Sequence, residues 1–582
     1  MKISIASIFA EKTPFGVVVY FFKKFIGIAL AQILLGVAIM LLGFTLPEAN
    51  ARIIGTFIPQ RDYFSAILWL SAALVTVVIL LGLQLIQQRL ASIVAEKMTC
   101  VFQRFTLRRC MSLPMQWHLV NGPATANRSF FYDISNITSM ASNIIGMGVF
   151  PVLQVIIVIG LMLYLNVSLA LVSLVPLIMI GVASWKSTKV LPPAATAQIM
   201  KGNLLGGMFF DFISCIRMVK ALCIEAAIVH EMKPSIEAAA KANRNLSNLN
   251  ELFTFLSGVA VSFGGLFVLA ASLFLHAEDK IDLTDLLRFI FFAALLYQPF
   301  ERLSHFIQIY IQANESWSNM RSSLSGSYSN ECRYKLRSSF PKSGSIVAEN
   351  ISFEYNSRTI LKSVSIRAEE GEVIGIMGRS GGGKSTLLSI ISGYLAPQSG
   401  SVRIGSLNLN QIYLKDLRKN IFYAGQDALI FNRSIRFNLS MASPNSPEDK
   451  IWEALEYAGL RQAVENFPSK LEHIVGDHGT ILSGGERQRL LVAIAWLRNP
   501  RILLLDEITA SLDAITDQQV RESIQQLMNG RTTIIVSHRL ENFAQANRVY
   551  ILEKGGILAE GTHFSLLETC PFYQQICKAR AL

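Results

Sequence analysis

Residues 378–386 read Gly378-Arg379-Ser380-Gly381-Gly382-Gly383-Lys384-Ser385-Thr386, and this stretch decides the fold of the second half of the chain. It follows the apolar run 373–377, which predicts a buried strand, and precedes the apolar run 387–391, which predicts a helix. A glycine-rich loop between a strand and a helix is the context in which the pattern GxxxxGKS/T binds phosphate. The glycines let backbone N–H groups converge on a polyphosphate, and the helix N-terminus adds its positive end.

Two side chains of this phosphate loop have predicted roles of their own. Lys384 is placed to reach the β- and γ-phosphates of a nucleotide, and Ser385 to offer its hydroxyl to Mg²⁺. The less favoured alternative is a glycine-rich turn that binds nothing.

Length and composition indicate a membrane protein of more than one domain. The chain has 582 residues, of which 51% are hydrophobic and only 16% charged, too apolar for an ordinary soluble enzyme. The apolar excess lies in the first half. The seven cysteines have no metal-ligand spacing, and an odd number suits a reducing compartment.

The first half contains six runs that are long and apolar enough to cross a bilayer, which takes about 20 residues of helix. A soluble bundle with six helices of this kind is the less favoured alternative. The predicted spans are residues 25–46, 63–85, 144–165, 168–185, 252–275 and 286–310.

Lysine and arginine predict the orientation of these spans. Segment 88–143 carries six of these residues and segment 186–251 carries eight, whereas the opposite loops carry only Arg52, Arg61 and Lys280. The positive-inside rule therefore places both termini, both long segments and the nucleotide domain in the cytoplasm. Because topology accounts for much of the net charge of +12, no nucleic-acid partner is expected.

Both long cytoplasmic segments have the apolar spacing of helices, at 90–109 and 204–229. We expect the spans to continue as helices into the cytoplasm, with a short crossing helix near 117–125 and another near 209–217. The alternative is amphipathic helices that are solvated or lie on the membrane surface.

A polar, serine-rich stretch follows the last span and marks a domain boundary. The predicted fold class is multidomain: an all-α transmembrane domain of six helices at 1–315, a linker at 316–342, and an α/β nucleotide-binding domain at 343–582.

Two acids end an apolar strand downstream, at Asp506 and Glu507. Burying carboxylates there is costly unless a cation or a proton transfer uses them. Asp506 is placed to hold Mg²⁺, and Glu507 to polarise the water that attacks the γ-phosphate. His538, after another predicted strand, is a candidate contact for that phosphate. Tyr355 either stacks on a nucleobase or is a packed surface tyrosine.

A second helix N-terminus of the phosphate-binding type begins at Ser483-Gly484-Gly485. One nucleotide has a single γ-phosphate, so two such sites on one domain predict that the second closes on the nucleotide of a partner chain.

With these motifs the chain resembles the ATP-binding cassette (ABC) family, whose signature sequence is LSGGQ. The resemblance covers nearly the whole chain, and six spans followed by one nucleotide domain is the layout of half-size exporters. Glu486 departs from the signature glutamine. By resemblance, Tyr355 is the adenine-stacking aromatic, residues 378–386 form the Walker A loop, and Gln426 is the Q-loop glutamine. Asp506 and Glu507 match the Walker B acids, Leu512 and Asp513 match the D-loop, and His538 matches the switch histidine. In the membrane half, residues 216–221 resemble the second coupling region of exporters.

The resemblance implies an α/β P-loop ATPase with a helical subdomain, using ATP and Mg²⁺. It implies that Glu507, His538 and Lys384 are catalytic, that Ser385, Gln426 and Asp506 hold the metal, and that Ser483, Gly484 and Gly485 contact the partner's nucleotide. The expected function is export of an amphipathic or hydrophobic lipid, peptide or drug by a dimer in a bacterial inner membrane. A homodimer is favoured because Glu507, His538 and the signature are all intact, and a heterodimer is the alternative. The alternatives are an ATP-gated channel or regulator of the same architecture, and a soluble ABC ATPase acting on DNA or ribosomes, which the spans disfavour.

Substrate contacts are expected from the inner faces of the spans. Arg288 is a candidate partner for an anionic group, or it extends to the lipid headgroups. The other expected lining residues are Phe291, Phe292, Tyr297, Gln154 and Gln298.

Overall fold

A computed structural model describes two compact units. The first comprises Met1–Leu113 and Val120–Tyr328, and the second Pro114–Leu119 and Ser329–Leu582. The residues described within them are 13–277, 281–325, 338–355, 358–425, 430–476, 479–508, 514–537, 539–543 and 545–578.

The first unit is built of helices, several of which are much longer than a bilayer requires. Short π-helical turns at Ile53–Phe57, Ser129–Asp133 and Ile144–Val149 continue some of them without a break. In chain order the helices are α1 (Pro14–Lys24), α2 (Ile26–Gly43), α3 (Thr45–Arg52), α4 (Tyr63–Ser112), α5 (Met115–Arg128), α6 (Ile134–Asn143), α7 (Phe150–Leu165), α8 (Val167–Ser214), α9 (Ile216–Leu222), α10 (Glu225–Ala277) and α11 (Leu283–Ser325).

Five helical rods of the described residues have the length and apolar composition of a membrane span, and they contain the first five predicted spans. They are Ile26–Phe57, Tyr63–Ser112, Thr125–Leu165, Val167–Ser214 and Glu225–Ala277.

The sixth predicted span, 286–310, lies in α11, a helix of 43 residues that is not among those five. Its polar side chains find partners on other helices: Arg288 pairs with Glu48, and Gln308 with Asn250. A membrane helix that packs against other helices can carry such groups, because its neighbours satisfy them.

The helical extensions at 90–109 and 204–229 are present, but one predicted crossing helix was misplaced. Residues 209–214 belong to α8, which ends at Ser214, and the short helix is α9, Ile216–Leu222. It ends at Cys223, whose φ of +51° is left-handed. The other crossing helix begins at Met115, and Gly122, with φ +66°, interrupts it.

Two residues expected to face a substrate are instead part of the packing. Phe292 is 6% exposed and belongs to an apolar core cluster with Val158, Ala260 and Phe289. Gln154 donates from Nε2 to the carbonyl of Leu295 at 3.3 Å. The side chains of Tyr297 and Gln298 lie outside the described part of the structure.

The second unit contains two sheets. Four antiparallel strands have the order β2-β1-β4-β5, and six strands have the order β10-β9-β3-β8-β7-β6, parallel from β9 to β6. The strands are β1 (Ile346–Tyr355), β2 (Arg358–Ala368), β3 (Val373–Gly378), β4 (Ser399–Ile404), β5 (Leu407–Asn408), β6 (Ile421–Ala424), β7 (Ile502–Asp506), β8 (Thr532–Val536), β9 (Arg548–Glu553) and β10 (Gly556–Gly561).

Helices pack on the sheets around three separate cores of described residues, the smallest of which includes Leu566 and Tyr573. One core, which includes Leu387 and Ile390, joins α12 to both sheets. Another, which includes Leu439, Leu455 and Leu490, holds together α14–α17 and one face of the parallel strands. The helices are α12 (Lys384–Ile391), α13 (Leu414–Asn420), α14 (Ile435–Ala442), α15 (Glu448–Tyr457), α16 (Arg461–Asn466), α17 (Gly484–Arg498), α18 (Ala514–Met528), α19 (His563–Thr569) and α20 (Pro571–Lys578).

Candidate nucleotide site

The predicted site residues converge at one edge of the six-stranded sheet. Strands β3, β8 and β7 are neighbours and run parallel, so their carboxyl ends lie side by side. The phosphate loop follows β3, Glu507 follows β7, and Ser537 follows β8. Ligands of open α/β sheets bind at this carboxyl edge.

The glycines of the phosphate loop meet steric demands that other residues cannot. Gly381 and Gly383 have φ values of +76° and +97°, in the left-handed region. A Cβ at Gly378 would lie 2.1 Å from the carbonyl oxygen of Leu552, and one at Gly383 would lie 2.7 Å from Cδ2 of Leu361. The loop therefore has a backbone shape that depends on glycine.

Lys384 begins α12, and its ammonium group is held by the loop itself. Nζ donates to the carbonyl oxygens of Gly378, at 2.9 Å, and Arg379, at 3.1 Å. The residue is 6% exposed. Burial lowers the pKa of Lys384 from its usual value, and the nearby charges of Glu507 and Asp506 act in the opposite direction. A cation held in this way is already in position for phosphate oxygens.

Asp506 ends β7 and is buried, with an exposed fraction of 4%. Tyr423 on β6 donates its hydroxyl proton to Oδ2 of Asp506 at 3.2 Å. Burial raises the pKa of Tyr423, and the charge of Asp506 raises it further, so the phenol remains a donor. Sequence reasoning missed Tyr423; the available signal was a tyrosine in the strand just before Gln426.

Glu507 has a left-handed backbone conformation, with φ +51°, although it is not glycine. Its N–H donates to the carbonyl of Val536 at 2.9 Å, which ties the end of β7 to the end of β8. This conformation costs roughly 1 kcal/mol for a residue with a side chain. Strain of this kind is concentrated at functional sites, which agrees with the predicted role of Glu507.

Ser483 caps α17, the helix of the signature stretch. Its Oγ accepts from the N–H of Glu486 at 3.2 Å, and Glu486 Oε2 accepts from the N–H of Ser483 at 2.7 Å. This reciprocal capping box explains how the chain accommodates glutamate in place of the signature glutamine. The N–H groups of Gly484 and Gly485, in the first turn, have no partner within the helix and point toward its N-terminal end.

Of five further predicted residues, the structure describes only Tyr355. Tyr355 ends β1 and is 41% exposed, so part of its ring is accessible. Gln426, His538, Leu512 and Asp513 lie outside the described residues.

Comparisons with known proteins agree with this architecture. Residues 361–510 match the family described as ABC transporter, and residues 25–300 match the ABC transporter transmembrane region. An ATP-dependent lipid A-core flippase of Syntrophus aciditrophicus (strain SB) is 32% identical over 414 residues, covering 69% of this chain and 67% of that protein.

A multidrug resistance ABC transporter ATP-binding and permease protein of Lactococcus lactis subsp. cremoris (strain MG1363) is 40% identical over 228 residues. That match spans only 39% of each protein. The solved structure of a bacterial Atm1-family ABC exporter with ATP bound has a TM-score of 0.87 at 20% identity, covering 96% of this chain and 99% of that one.

Fold and site together define a multi-pass membrane protein that carries a P-loop ATPase domain. The chain belongs to the ABC transporter family. Its fold, a helical transmembrane region followed by an α/β nucleotide-binding domain, matches that solved structure and confirms the predicted fold class. The protein accordingly binds ATP, and in this family ATP hydrolysis is coupled to transport.

Proposed function

We propose that two copies of this chain form an ATP-driven exporter in the cytoplasmic membrane of a bacterium, and that they move an amphipathic or hydrophobic molecule outward. The main support for this proposal is that Lys384, Asp506 and Glu507 lie close together at the carboxyl edge of the six-stranded sheet. These strands belong to a chain whose other half consists of apolar helical rods.

Each group at the strand ends has a chemical task in this proposal. The loop amides and Lys384 bind the β- and γ-phosphates. Glu507 polarises the attacking water, and His538 contacts the γ-phosphate. Tyr355 stacks on the adenine ring.

Magnesium is the metal that fits the proposed donor groups. The hydroxyl of Ser385, the carboxylate of Asp506 and the side-chain oxygen of Gln426 are hard oxygen donors, which Mg²⁺ prefers. Asp506 is a buried carboxylate, and a cation would offset the cost of burying its charge. Bound there, the metal would neutralise charge on the phosphates.

The partner in the proposed dimer is a second copy of the chain. Ser483, Gly484 and Gly485 form a second anion-binding helix end, and each nucleotide has one γ-phosphate to occupy it. Sandwiching ATP between the phosphate loop of one copy and α17 of the other completes both sites. For the dimer to close around ATP, ATP must bind the closed state more tightly than the open state by several kcal/mol.

The short helices at the ends of the long rods are the proposed link between ATP binding and transport. We assign this task to α5, which begins at Met115, in the first long segment. We assign α9 the same task in the other long segment. The lysine and arginine excess of both segments supports a cytoplasmic position for them and for the nucleotide domain.

Substitution of Glu507 by glutamine tests the proposal. Glu507→Gln removes the base and keeps the size of the side chain, so ATP hydrolysis should fall at least about a hundredfold while ATP-bound dimers accumulate. ATP turnover and size-exclusion chromatography of the protein in lipid nanodiscs measure both effects.

The matched control is Glu568→Gln, at an exposed position of α19, which should leave turnover unchanged. Fast hydrolysis by the Glu507→Gln protein would reject the assignment of this residue. Full hydrolysis by a wild-type protein that stays monomeric would reject the dimer.

A further inference from the structure

The membrane unit contains a cavity of about 860 Å³ between helices α3, α8, α10 and α11. This volume lies within the range of about 300–1,000 Å³ that is typical of small-molecule sites. Along α11 the lining extends from Phe291 to Gln308, which is about 26 Å at 1.5 Å per residue. The cavity therefore suits an elongated ligand.

One end of the cavity, the polar end, is lined by side chains that form hydrogen bonds without a fixed charge. They are Asn250 and Thr254 on α10, and Ser304, His305 and Gln308 on α11. Gln308 Nε2 donates to Asn250 Oδ1 at 2.9 Å, which holds the two helices together there. Each carboxamide has a second N–H and a second oxygen lone pair beyond that bond.

The other end, the apolar end, is lined on α11 by Phe291, Ala294 and Leu295. Leu46 and Pro47 of α3 also line the cavity, and the ion pair between neighbouring Glu48 and Arg288 places them beside this part of α11. Aliphatic and aromatic side chains of this kind bind hydrocarbon.

Arg288, one helical turn before Phe291, is already paired. Its Nε and Nη2 donate to the two carboxylate oxygens of Glu48 at 2.9 and 2.7 Å, and its Nη1 donates to Asp285 at 2.7 Å. Asp, Glu, Lys and Arg do not occur among the lining residues that the structure describes. The one ionisable lining side chain that the structure describes is the imidazole of His305, so a phosphate or carboxylate head group would lose its hydration without gaining the permanent charge of a lysine or arginine.

On the premise that the protein is the exporter described above, we propose that its substrate is a neutral amphiphile with a hydroxyl-rich, sugar-type head group and an apolar chain. The head binds at the polar end, because a carboxamide presents a donor and an acceptor side by side and a hydroxyl uses both. The chain packs against Phe291 and Leu295. This reverses the expectation that Arg288 receives an anionic group.

Three single-chain probes with the same tail test the proposal: octyl glucoside, octyl phosphate and octyltrimethylammonium. Each is added below its micellar concentration to the full-length protein in nanodiscs, and stimulation of ATP hydrolysis is measured. Octyl glucoside should stimulate at the lowest concentration. Gln308→Leu should raise the concentration of octyl glucoside needed for half-maximal stimulation about fivefold.

Two further variants separate recognition from folding. Gln312→Leu, one turn further along α11 and exposed, is the matched control and should leave all three responses unchanged. Gln308→Glu introduces a carboxylate of the same shape and should shift the preference to octyltrimethylammonium, a gain that misfolding cannot produce.

Each possible result either supports or overturns the proposed head group. Equal or stronger stimulation by octyl phosphate or octyltrimethylammonium in the wild type overturns the head-group assignment, as does the absence of stimulation by octyl glucoside while basal hydrolysis continues. If the wild-type protein does not hydrolyse ATP at all, that result counts against the proposed exporter and not against the head-group assignment.

Discussion

Replacing Glu486 by glutamine should strengthen the ATP-dependent pairing of two chains while slightly weakening the fold. Glu486 closes a capping box on Ser483, with 2.7 Å between its Oε2 and the backbone nitrogen of Ser483. Glutamine can make the same bond, because both residues serve at this position of a capping box. The substitution therefore removes the negative charge and keeps the cap.

The expected magnitudes follow from where that charge lies. In the proposed dimer the partner's γ-phosphate binds at the same helix end, so its charge lies near the carboxylate. Two unit charges repel by about 1 kcal/mol when they lie about 8 Å apart in a medium whose effective dielectric constant is about 40, between the values for a protein surface and for water. Removing the repulsion should lower the ATP concentration for half-maximal hydrolysis about fivefold. Loss of a carboxylate at a helix N-terminus should lower the free energy of unfolding by about 0.3–1 kcal/mol.

ATP titration of hydrolysis and thermal unfolding without nucleotide measure the two effects in one preparation. Glu486→Ala is the control, since it removes the charge and the bond to Ser483 together and should lower the melting temperature more than glutamine does. An unchanged or raised ATP requirement in the glutamine variant would refute the electrostatic reasoning. It would also weaken the placement of a phosphate at this helix end.

Two further substitutions test the steric and ionic features of the two units. Gly383→Ala should destabilise the nucleotide domain by more than about 1 kcal/mol, because it adds a Cβ at φ +97° within 2.7 Å of Leu361. Arg288→Gln should destabilise the membrane unit by about 1 kcal/mol, a modest value because the ion pairs are partly exposed: Glu48 keeps Arg52, but Asp285 loses its cation. Thermal unfolding in nanodiscs measures both.

Each of these substitutions has a matched comparison. Gly381→Ala has the same kind of φ, +76°, but nothing within 4 Å of the added Cβ, so it should cost less than Gly383→Ala. Adding Asp285→Asn to Arg288→Gln should restore part of the lost stability, because the carboxylate that Arg288 had neutralised is then absent. Equal losses in the glycine pair, or further loss in the double variant, would contradict these explanations.

Local patterns in the sequence were sufficient for the class of fold and for most of the candidate site. The order of strand, glycine loop and helix around Lys384 depends on φ values and periodicity within a few residues, so it can be recognised without a structure. The acids at 506–507 end a buried strand for the same reason. Five of the predicted spans are apolar enough to be recognised from composition alone.

Contacts between residues that are distant in the chain could be identified only from the tertiary structure. Tyr423 reaches Asp506 only because β6 and β7 are neighbours, and Arg288 meets Glu48 only because α3 packs on α11. The misplaced crossing helix and the buried Phe292 belong to the same group of errors, since helix breaks and burial depend on packing.

The sequence by itself thus determined that this is an ABC transporter with an ATP site and membrane helices, because each of those features is encoded within a short stretch. The tertiary structure decided which side chains face the cavity and which are already paired. Those outcomes depend on which helix faces lie together, and residues far apart in the chain contribute to them. One such outcome is whether Arg288 can offer its charge to a substrate. It already pairs with Glu48, a carboxylate that lies 240 residues away in the chain.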